Sequence, residues 1–304
     1  MKETDVILLT ESCYENPKEI DQYVQNVITE DGLVKSALEN LGCSVKIVPW
    51  DKKDFNWTSA HVAVFRTTWD YFHRFSEFNS WLISIKDKIK LVNSYEQIIW
   101  NLDKHYLKEL SEKGINIPPS HFISKKTTNS LANIIDHCNW DKTVLKPTIS
   151  GGARHTFMIE KYRANNYQDQ FNELIKHEDF MLQEFQENIL IKGEVSFMVF
   201  GGKFSHAIQK KAKKGDFRVQ DDFGGSVHHY QATENEISFS ESVIAVLDTQ
   251  PIYARVDVIW DNNNKLAVSE LELIEPELWF RFKPESAKKV AQLIFNQLNH
   301  IKNI

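Results

Sequence analysis

The feature that most constrains this chain is a pair of alternating segments near its C-terminal end. YARVDVIW at 253–260 and KLAVSELELIEP at 265–276 each alternate apolar with charged or polar side chains. Three asparagines at 262–264 separate them, and asparagine tolerates the left-handed conformations of tight turns. The pattern predicts an antiparallel β-hairpin with one apolar and one charged face. Glu275 precedes Pro276, which ends the second strand.

The register of this hairpin decides which charged side chains lie together. If the turn centres on 263–264, Asp257 lies opposite Glu270 and Arg255 lies opposite Glu272, all on one face. A shift of two residues keeps that shared face, whereas a slip of one residue separates the acids. The other face then carries only apolar side chains: Val256, Val258, Leu271 and Leu273.

Three acids, Asp257, Glu270 and Glu272, thus converge on one face of the predicted hairpin. Carboxylates within ~4–6 Å of each other resist joint ionisation, and a bound divalent cation removes that conflict. Oxygen ligands favour a hard ion such as Mg²⁺, which typically takes one or two carboxylates together with substrate phosphates. Two alternatives stay open: an ordinary solvated face, and a structural ion pair between Arg255 and Glu272.

The first hundred residues alternate strand and helix patterns. Apolar strands such as DVILLT and HVAVF are separated by helical segments near 19–41 and 76–88, which predicts a parallel, doubly wound sheet. Ligands gather beyond the carboxyl ends of such strands. Arg66, Trp69 and Asp70 follow HVAVF directly and are therefore candidates for contacting a small substrate. A capping Asp70 and a packed Trp69 are the alternatives.

Two stretches are candidates for holding phosphate. TVLKPTISGGARHT places Lys146 at the end of an apolar strand, ahead of Gly151 and Gly152, whose backbone N–H groups can approach an anion closely. A Gly-Gly pair alone is more often an ordinary turn, so it gains weight only beside Lys146 and the acids. Five cations at 210–218, ending at Arg218, predict a mobile lid over phosphate, with a solvated lysine face as the alternative.

Composition excludes several functions. The 36 basic and 42 acidic side chains give a net charge of -6, which disfavours nucleic acid and anionic membranes as partners. Cys13, Cys43 and Cys138 are scattered and form no disulfide or thiolate pattern, and the His228–His229 pair lacks zinc-ligand spacing. No signal peptide or membrane-length apolar stretch is present, so we expect a cytoplasmic protein. A length of 304 residues suggests several domains.

Several motifs, in this order, resemble those of ATP-grasp enzymes. The set comprises Lys104, Lys146 with its glycine loop, LQEF at 182–185, Gly193–Glu194 and the paired acidic strands. RTTWDY, WNLDKHYL, LKPTISGGARHT and ELELIEP together most resemble the glutathione-synthetase-like branch that includes the D-cycloserine-forming ligase. The resemblance covers nearly the whole chain, and the order of the motifs is more specific than any one of them.

The resemblance implies a fold of the α/β (α+β) class. In this ATP-grasp fold, an N-terminal Rossmann-like parallel-sheet domain precedes two α+β subdomains that sandwich ATP. We place the pre-ATP-grasp domain at 1–96, the first ATP-grasp subdomain at 97–183, and the second subdomain, with the metal site, at 184–304.

The resemblance also implies a role for each site residue. Lys104 and Lys146 would hold the ATP phosphates together with Gly151 and Gly152, and Glu194 would bind the ribose. The adenine pocket would be lined by Gln183, Glu184 and Phe185. Mg²⁺, or Mn²⁺, would be bound by Asp257, Glu270 and Glu272. The family usually has asparagine at the last of these positions, and a carboxylate there preserves oxygen ligation.

The implied reaction activates a small-molecule carboxylate as an acyl phosphate, which an amine or related nucleophile attacks with release of ADP and phosphate. Arg218 and Arg255 are the candidates for stabilising charge on the transferred phosphoryl group. A regulatory nucleotide-binding module and a phosphotransferase remain alternatives, as does a homo-oligomeric state. A glycosidase is disfavoured because Glu270 and Glu272 share one strand face instead of flanking a cleft.

Overall fold

The first module of the fold is a four-stranded parallel sheet. The structure is a computed structural model that describes residues 2–213, 215–219 and 224–303. The strand order is β2-β1-β3-β4, and every pairing is parallel, as predicted. Its elements are β1 (Thr4–Thr10), α1 (Ser12–Glu15), α2 (Gln22–Asn40), β2 (Val45–Pro49), β3 (Ala60–Thr67), α3 (Phe75–Ile85) and β4 (Lys90–Val92).

Local sequence explains why these elements form. β1 and β3 are near-continuous apolar runs because both faces of the sheet are covered. The Asp21 side chain caps α2 by accepting the Val24 N–H at 2.8 Å. Ile7, Leu9 and Phe65 pack on one face, and Val6, Leu8 and Val64 pack on the other. The strands therefore end together at one edge, where the loop after β3 begins.

The second module is an antiparallel four-stranded sheet. The strand order is β5-β8-β6-β7, and the pairings are antiparallel. Two helices that precede it pack against the third module. The elements are α4 (Tyr95–Leu102), α5 (Tyr106–Glu112), β5 (Ser120–Ile123), α6 (Leu131–Cys138), β6 (Lys142–Pro147), β7 (Phe157–Glu160), α7 (Gln168–Leu174) and β8 (Phe180–Glu184).

The third module is an antiparallel five-stranded sheet. The strand order is β11-β10-β9-β12-β13, so the predicted hairpin forms one edge of the sheet. Its elements are α8 (Asn188–Lys192), β9 (Glu194–Phe200), β10 (Lys203–Lys211), β11 (Ser226–Tyr230), α9 (Glu234–Ala245), β12 (Tyr253–Trp260), β13 (Leu266–Glu272) and α10 (Ser286–Lys302). Residues of α10 share one core with the first sheet. The domain boundaries proposed above remain predictions, and the one at 183/184 falls inside β8.

The hairpin has the predicted register at the acids but not at its tip. Asp257 pairs with Glu270 and Arg255 with Glu272, whereas Trp260 pairs with Leu266. The turn is therefore centred on 263 instead of 263–264. A β-bulge at 269 absorbs the extra residue and restores the predicted pairing at the acids. The apolar face is buried as predicted, since Val256, Val258, Leu271 and Leu273 all belong to one core.

No helix in the described part of the chain is both long enough and apolar enough to cross a bilayer.

Candidate active site

A cleft of about 380 Å³ lies where the three sheets approach each other. All but two of the residues proposed from the sequence line it. They are Trp69, Lys104, Lys146, Gly151, Gly152, Gln183, Glu184, Phe185, Glu194, Arg218, Arg255, Asp257, Glu270 and Glu272. The roles proposed for these side chains remain predictions, but their meeting in one cleft is a feature of the fold.

Asp257 lies at the base of the cleft and is only 2 % exposed. Its carboxylate accepts hydrogen bonds from Arg255 Nη2 at 2.9 Å, Lys210 Nζ at 3.1 Å and Ser196 Oγ at 2.5 Å. Burial alone would raise the pKa of Asp257, but the Arg255 and Lys210 cations hold it well below its usual value. Asp257 is therefore ionised and fully engaged within the protein.

The two glutamates of the hairpin face differ in their partners. Glu270 pairs with Lys104 Nζ at 3.0 Å. Burial alone would raise the pKa of Glu270, but Lys104 and Lys146 together lower it. Glu272 accepts a hydrogen bond from Arg255 Nη2 at 2.5 Å. Burial nevertheless raises the pKa of Glu272 to about 7, and the negative charge of Glu270 adds to that effect. Of the two glutamates, Glu272 is therefore the one whose negative charge its neighbouring cations do not offset.

The three acids share a face without forming a ready-made metal cluster. Within residues 2–213, 215–219 and 224–303, no group of three or more His, Cys, Asp or Glu side chains is arranged to hold a metal ion. The reason is that Asp257 is held by Arg255 and Lys210. The donor chemistry still fits Mg²⁺, because Glu270 and Glu272 offer hard oxygen ligands and Mg²⁺ needs only one or two carboxylates when phosphates supply the rest.

Two lysines lie above these acids. Lys104 is buried and its Nζ donates to the Ser150 carbonyl at 2.6 Å as well as pairing with Glu270. Lys146 lines the cleft and forms no hydrogen bond or ion pair with a described residue. Burial lowers the pKa of Lys146 to about 8, and Glu270 only partly offsets this. Lys146 is therefore the cation with the greatest need of an anionic ligand.

The glycine loop lies next to Lys104. Gly152 has a φ of 54°, and Gly151 is so close to the Phe72 ring that a Cβ at this position would lie 2.6 Å from it. Arg154 secures the loop by donating to Glu178 at 2.9 Å and to the Ile149 carbonyl at 2.9 Å. The loop is thus packed against Phe72 and fixed in position, and Gly152 adopts a conformation that favours glycine.

The end of β8 and the start of β9 supply the remaining predicted contacts. Gln183 donates to Ser120 Oγ at 2.9 Å, and the Phe185 ring lies 4.8 Å from Lys142 Nζ. Glu194 pairs with Lys210 Nζ at 2.6 Å and accepts from Ser269 Oγ at 2.7 Å. Glu194 is 8 % exposed, so the carboxylate predicted to bind ribose also positions a buried lysine.

Two family models match the chain. The model of the D-cycloserine synthetase DcsG N-terminal domain matches residues 6–93. The model described as prokaryotic glutathione synthetase, ATP-grasp domain, matches residues 108–272, which is more than half of the chain. The chain belongs to the ATP-grasp family. The predicted fold and the predicted enzyme class, an ATP-dependent ligase of the carboxylate–amine type, are confirmed.

Individual relatives of this ATP-grasp ligase share its whole length. The cycloserine biosynthesis protein DcsG of Streptomyces lavendulae is 24 % identical over 281 residues, which cover 86 % of this chain and 91 % of that protein. The crystal structure of D-cycloserine synthetase DcsG superposes with a TM-score of 0.83 at 22 % identity, covering 96 % of this chain and 99 % of the other. D-alanine–D-alanine ligase from Bacillus anthracis gives a TM-score of 0.64 at 13 % identity, covering 99 % of both chains. At these identities the structural matches show the fold alone.

Two residues proposed as substrate contacts do not reach the cleft of this ATP-grasp ligase. Arg66 is 2 % exposed and lies beneath the cleft, where it pairs with Asp31 at 3.1 Å and Glu30 at 3.6 Å. Asp70 instead accepts hydrogen bonds from Trp50 Nε1 at 2.7 Å and Arg74 Nη1 at 2.8 Å. The sequence placed Arg66 at the carboxyl end of β3 and Asp70 just after it, but did not show that partners within the first module would bind them.

The proposed lid divides into two parts. Lys210 and Lys211 belong to β10, so they are not part of a loop, and Lys210 lies inside the site. Arg218 lines the cleft and pairs with Asp216 at 2.7 Å. Lys214 and residues 220–223 lie outside the described residues. The prediction of a lid therefore concerns only the segment after β10.

Sequence reasoning missed Lys210, which links the two acids Glu194 and Asp257. Only part of the signal was present, because Gly201 and Gly202 join β9 to β10 in a two-residue turn, with φ values of 56° and 74°. That turn alone would place the residue at 209 opposite Glu194. A bulge between Phe204 and His206 advances the register by one, so Lys210 takes that place.

Proposed function

We propose that this ATP-grasp ligase converts a small-molecule carboxylate into an acyl phosphate, which an amine attacks to form an amide with release of ADP and phosphate. The observation that supports this most is the charge distribution of the cleft. Lys146 forms no hydrogen bond or ion pair with a described residue, and the negative charge of Glu272 is not offset by its neighbouring cations. A triphosphate with its Mg²⁺ neutralises both.

The nucleotide would occupy the cleft between the second and third modules. The adenine base would be lined by Gln183, Glu184 and Phe185. Glu194 would bind the ribose, and Lys104 and Lys146 would hold phosphate oxygens under the glycine loop. Glu270 and Glu272 would hold Mg²⁺ or Mn²⁺ with Asp257 beside them, and the metal would neutralise charge on the phosphates. These contacts between the protein and the nucleotide would position the phosphates for reaction, and positioning is the main requirement of phosphoryl transfer.

The chemistry then follows from charge and position. A carboxylate oxygen of the substrate attacks the terminal phosphorus, and ADP leaves with the electron pair of the broken P–O bond. The Arg255 side chain is 11 % exposed and lies beside the hairpin acids. There its guanidinium would stabilise the acyl phosphate and the tetrahedral species that follows. Arg218, which also lines the cleft, would approach the same oxygens.

A paired substrate screen tests this proposal. Common D- and L-amino acids and hydroxamate-type compounds are supplied in pairs with Mg²⁺ and ATP, and ADP release is measured. We expect release that needs both members of a productive pair. ADP release with the acid alone and a stable phosphorylated product would indicate a phosphotransferase. Nucleotide binding with no release for any pair would favour a regulatory module.

A further inference from the structure

The end of the cleft beside the first module is lined by side chains other than those proposed to bind the nucleotide. Trp69 enters it from the loop after β3 and donates its Nε1 hydrogen to the Glu275 carbonyl at 2.9 Å. This bond joins the first module to the segment that follows β13. Glu275 and Trp279 line the cleft as well. Trp69, Glu275 and Trp279 are thus cleft side chains that the proposed nucleotide contacts do not use.

Glu275 lacks a cationic partner among the described residues. Its carboxylate accepts a hydrogen bond from the neutral Tyr71 hydroxyl, whereas Arg255 pairs with Asp257 and Glu272 instead. Burial, followed by the negative charge of Glu272, raises the pKa of Glu275 to about 8. A half-buried acid in this setting is stabilised by a cation supplied from outside the chain.

Trp279 supplies a second and independent sign of a ligand. It is 3 % exposed, and its indole N–H has no hydrogen-bond acceptor within the described part of the chain. Its φ of 54° is left-handed, which is uncommon for a bulky residue and recurs at ligand-binding segments. A buried donor without an acceptor is rare in folded proteins. A ligand oxygen at this end of the cleft would supply the missing acceptor.

We propose that this end binds the nucleophile as a small cationic amine, with Glu275 as the residue that recognises its ammonium group. The Trp69 indole lies beside Glu275, to whose carbonyl it donates, and lines the same cleft. A carbonyl or carboxylate oxygen on the amine satisfies Trp279, so the nucleophile is an amino-acid-like compound and not a thiol, an alcohol or an anion. The inference rests on the proposed function, because it assigns the second substrate of that reaction.

The step that follows is balanced without a further reactant. The ammonium group loses two protons, the nitrogen forms a bond to the acyl carbon, and the carbon–oxygen bond to phosphate breaks. Phosphate leaves with the electron pair and takes one proton, while the other passes to solvent. Acyl phosphate and ammonium thus give amide, hydrogen phosphate and one proton.

The experiment compares two nucleophiles for one acyl phosphate. Hydroxylamine is uncharged at neutral pH and small enough to react without a recognition site, whereas amino acids present an ammonium group. The common D- and L-amino acids are supplied as acids with Mg²⁺, ATP and either hydroxylamine or a second amino acid, and hydroxamate and amide are quantified by mass spectrometry. In Glu275→Gln we expect the amide-to-hydroxamate ratio to fall at least about tenfold, because a charge-assisted hydrogen bond is lost.

Two variants control the comparison. Glu275→Asp keeps the charge and recovers part of the ratio. Glu285→Gln removes an exposed carboxylate near the start of α10 and keeps the wild-type ratio. A wild-type ratio in Glu275→Gln overturns the assignment of Glu275, and wild-type enzyme that makes hydroxamate but no amide with any amino acid overturns the amine class. If the wild type makes neither product, the proposed function itself fails, so the two failures are distinguishable.

Discussion

Lys146 and Lys104 lie in the same cleft but differ in what they need. Lys104 is already paired with Glu270 and the Ser150 carbonyl, whereas Lys146 has no partner among the described residues and a pKa lowered to about 8 by burial. Even half-buried, a cation without a hydrogen bond or ion pair costs stability unless a ligand supplies the counter-charge. At the residue scale, ligand binding is therefore the best explanation of Lys146.

Replacement of Lys146 tests this directly. In Lys146→Ala we expect ATP to bind at least about tenfold more weakly, since one charge-assisted contact to phosphate is lost. The midpoint of thermal unfolding without ligand should not fall, because the variant removes a half-buried and unpaired charge. Calorimetry measures the affinity, and Lys125→Ala, an exposed lysine away from the cleft, is the control. Wild-type affinity in Lys146→Ala would remove this residue from the site.

The pKa of Lys146 also predicts how ATP binding depends on pH. Below about pH 8 the lysine is charged in the free protein, so its contribution to ATP affinity is fully present. Above that value the free protein must take up a proton to bind, and affinity should fall as pH rises. The same titration in Lys146→Ala should lack this decline. A decline of equal size in both proteins would show that another group is responsible.

At the element scale, α2 fixes the segment after β13. Glu30 is 3 % exposed and accepts the backbone N–H groups of Leu278 at 2.7 Å and Phe280 at 2.9 Å. Arg66 lies 3.6 Å from the same carboxylate. The segment that carries Trp279 into the cleft is therefore held by a charge buried in the first module. Arg66, proposed from the sequence as a substrate contact, acts here through Glu30.

Loss of the Glu30 carboxylate should be costly. Glu30→Ala leaves two buried N–H groups without acceptors and removes one partner of Arg66, so we expect destabilisation of about 3 kcal/mol or more. Urea unfolding measures this change. Glu39→Ala on the same helix is the matched control, since Glu39 is exposed and lies 3.8 Å from Lys35, and it should cost less than about 0.5 kcal/mol. Equal stability of the two variants would contradict the role of Glu30.

The strands also differ in which of their features could be predicted from the sequence. Alternation along β12 and β13 was sufficient to predict the pairing of Asp257 with Glu270, because one buried face fixes the register. The bulges at Ser269 and Ser205 could not be predicted, since either strand alternates equally well with or without one. The bulge at Ser205 decides that Lys210, and not Gln209, lies opposite Glu194. Burial of Arg66 was equally hidden, because its partners Glu30 and Asp31 lie on a helix distant in sequence.

At the scale of the whole molecule, three sheets supply different parts of one cleft. The first module contributes Trp69, the second contributes Lys146 and the glycine loop, and the third contributes the acidic hairpin. Cores shared between modules keep these parts in place, as where Tyr253 of β12 packs with residues of the first sheet and α10. Family motifs predicted this meeting of distant segments, whereas the partners that tie each segment down came only from the structure.

We propose that a magnesium-bound nucleotide binds to the hairpin face of this ATP-grasp ligase. The thermal unfolding midpoint reports nucleotide binding at the scale of the whole molecule, because a ligand that binds only the folded protein raises that midpoint. Glu272→Gln removes one of the two carboxylates available to the metal while keeping its shape.

The most direct measurement compares thermal unfolding of wild type and Glu272→Gln with ADP, in the presence of either Mg²⁺ or a chelator. For the wild type we expect a clearly larger rise in midpoint with Mg²⁺ than with the chelator. In Glu272→Gln the additional rise should largely disappear, together with ATP turnover. An additional rise of the same size in both proteins, with unchanged turnover, would contradict the account.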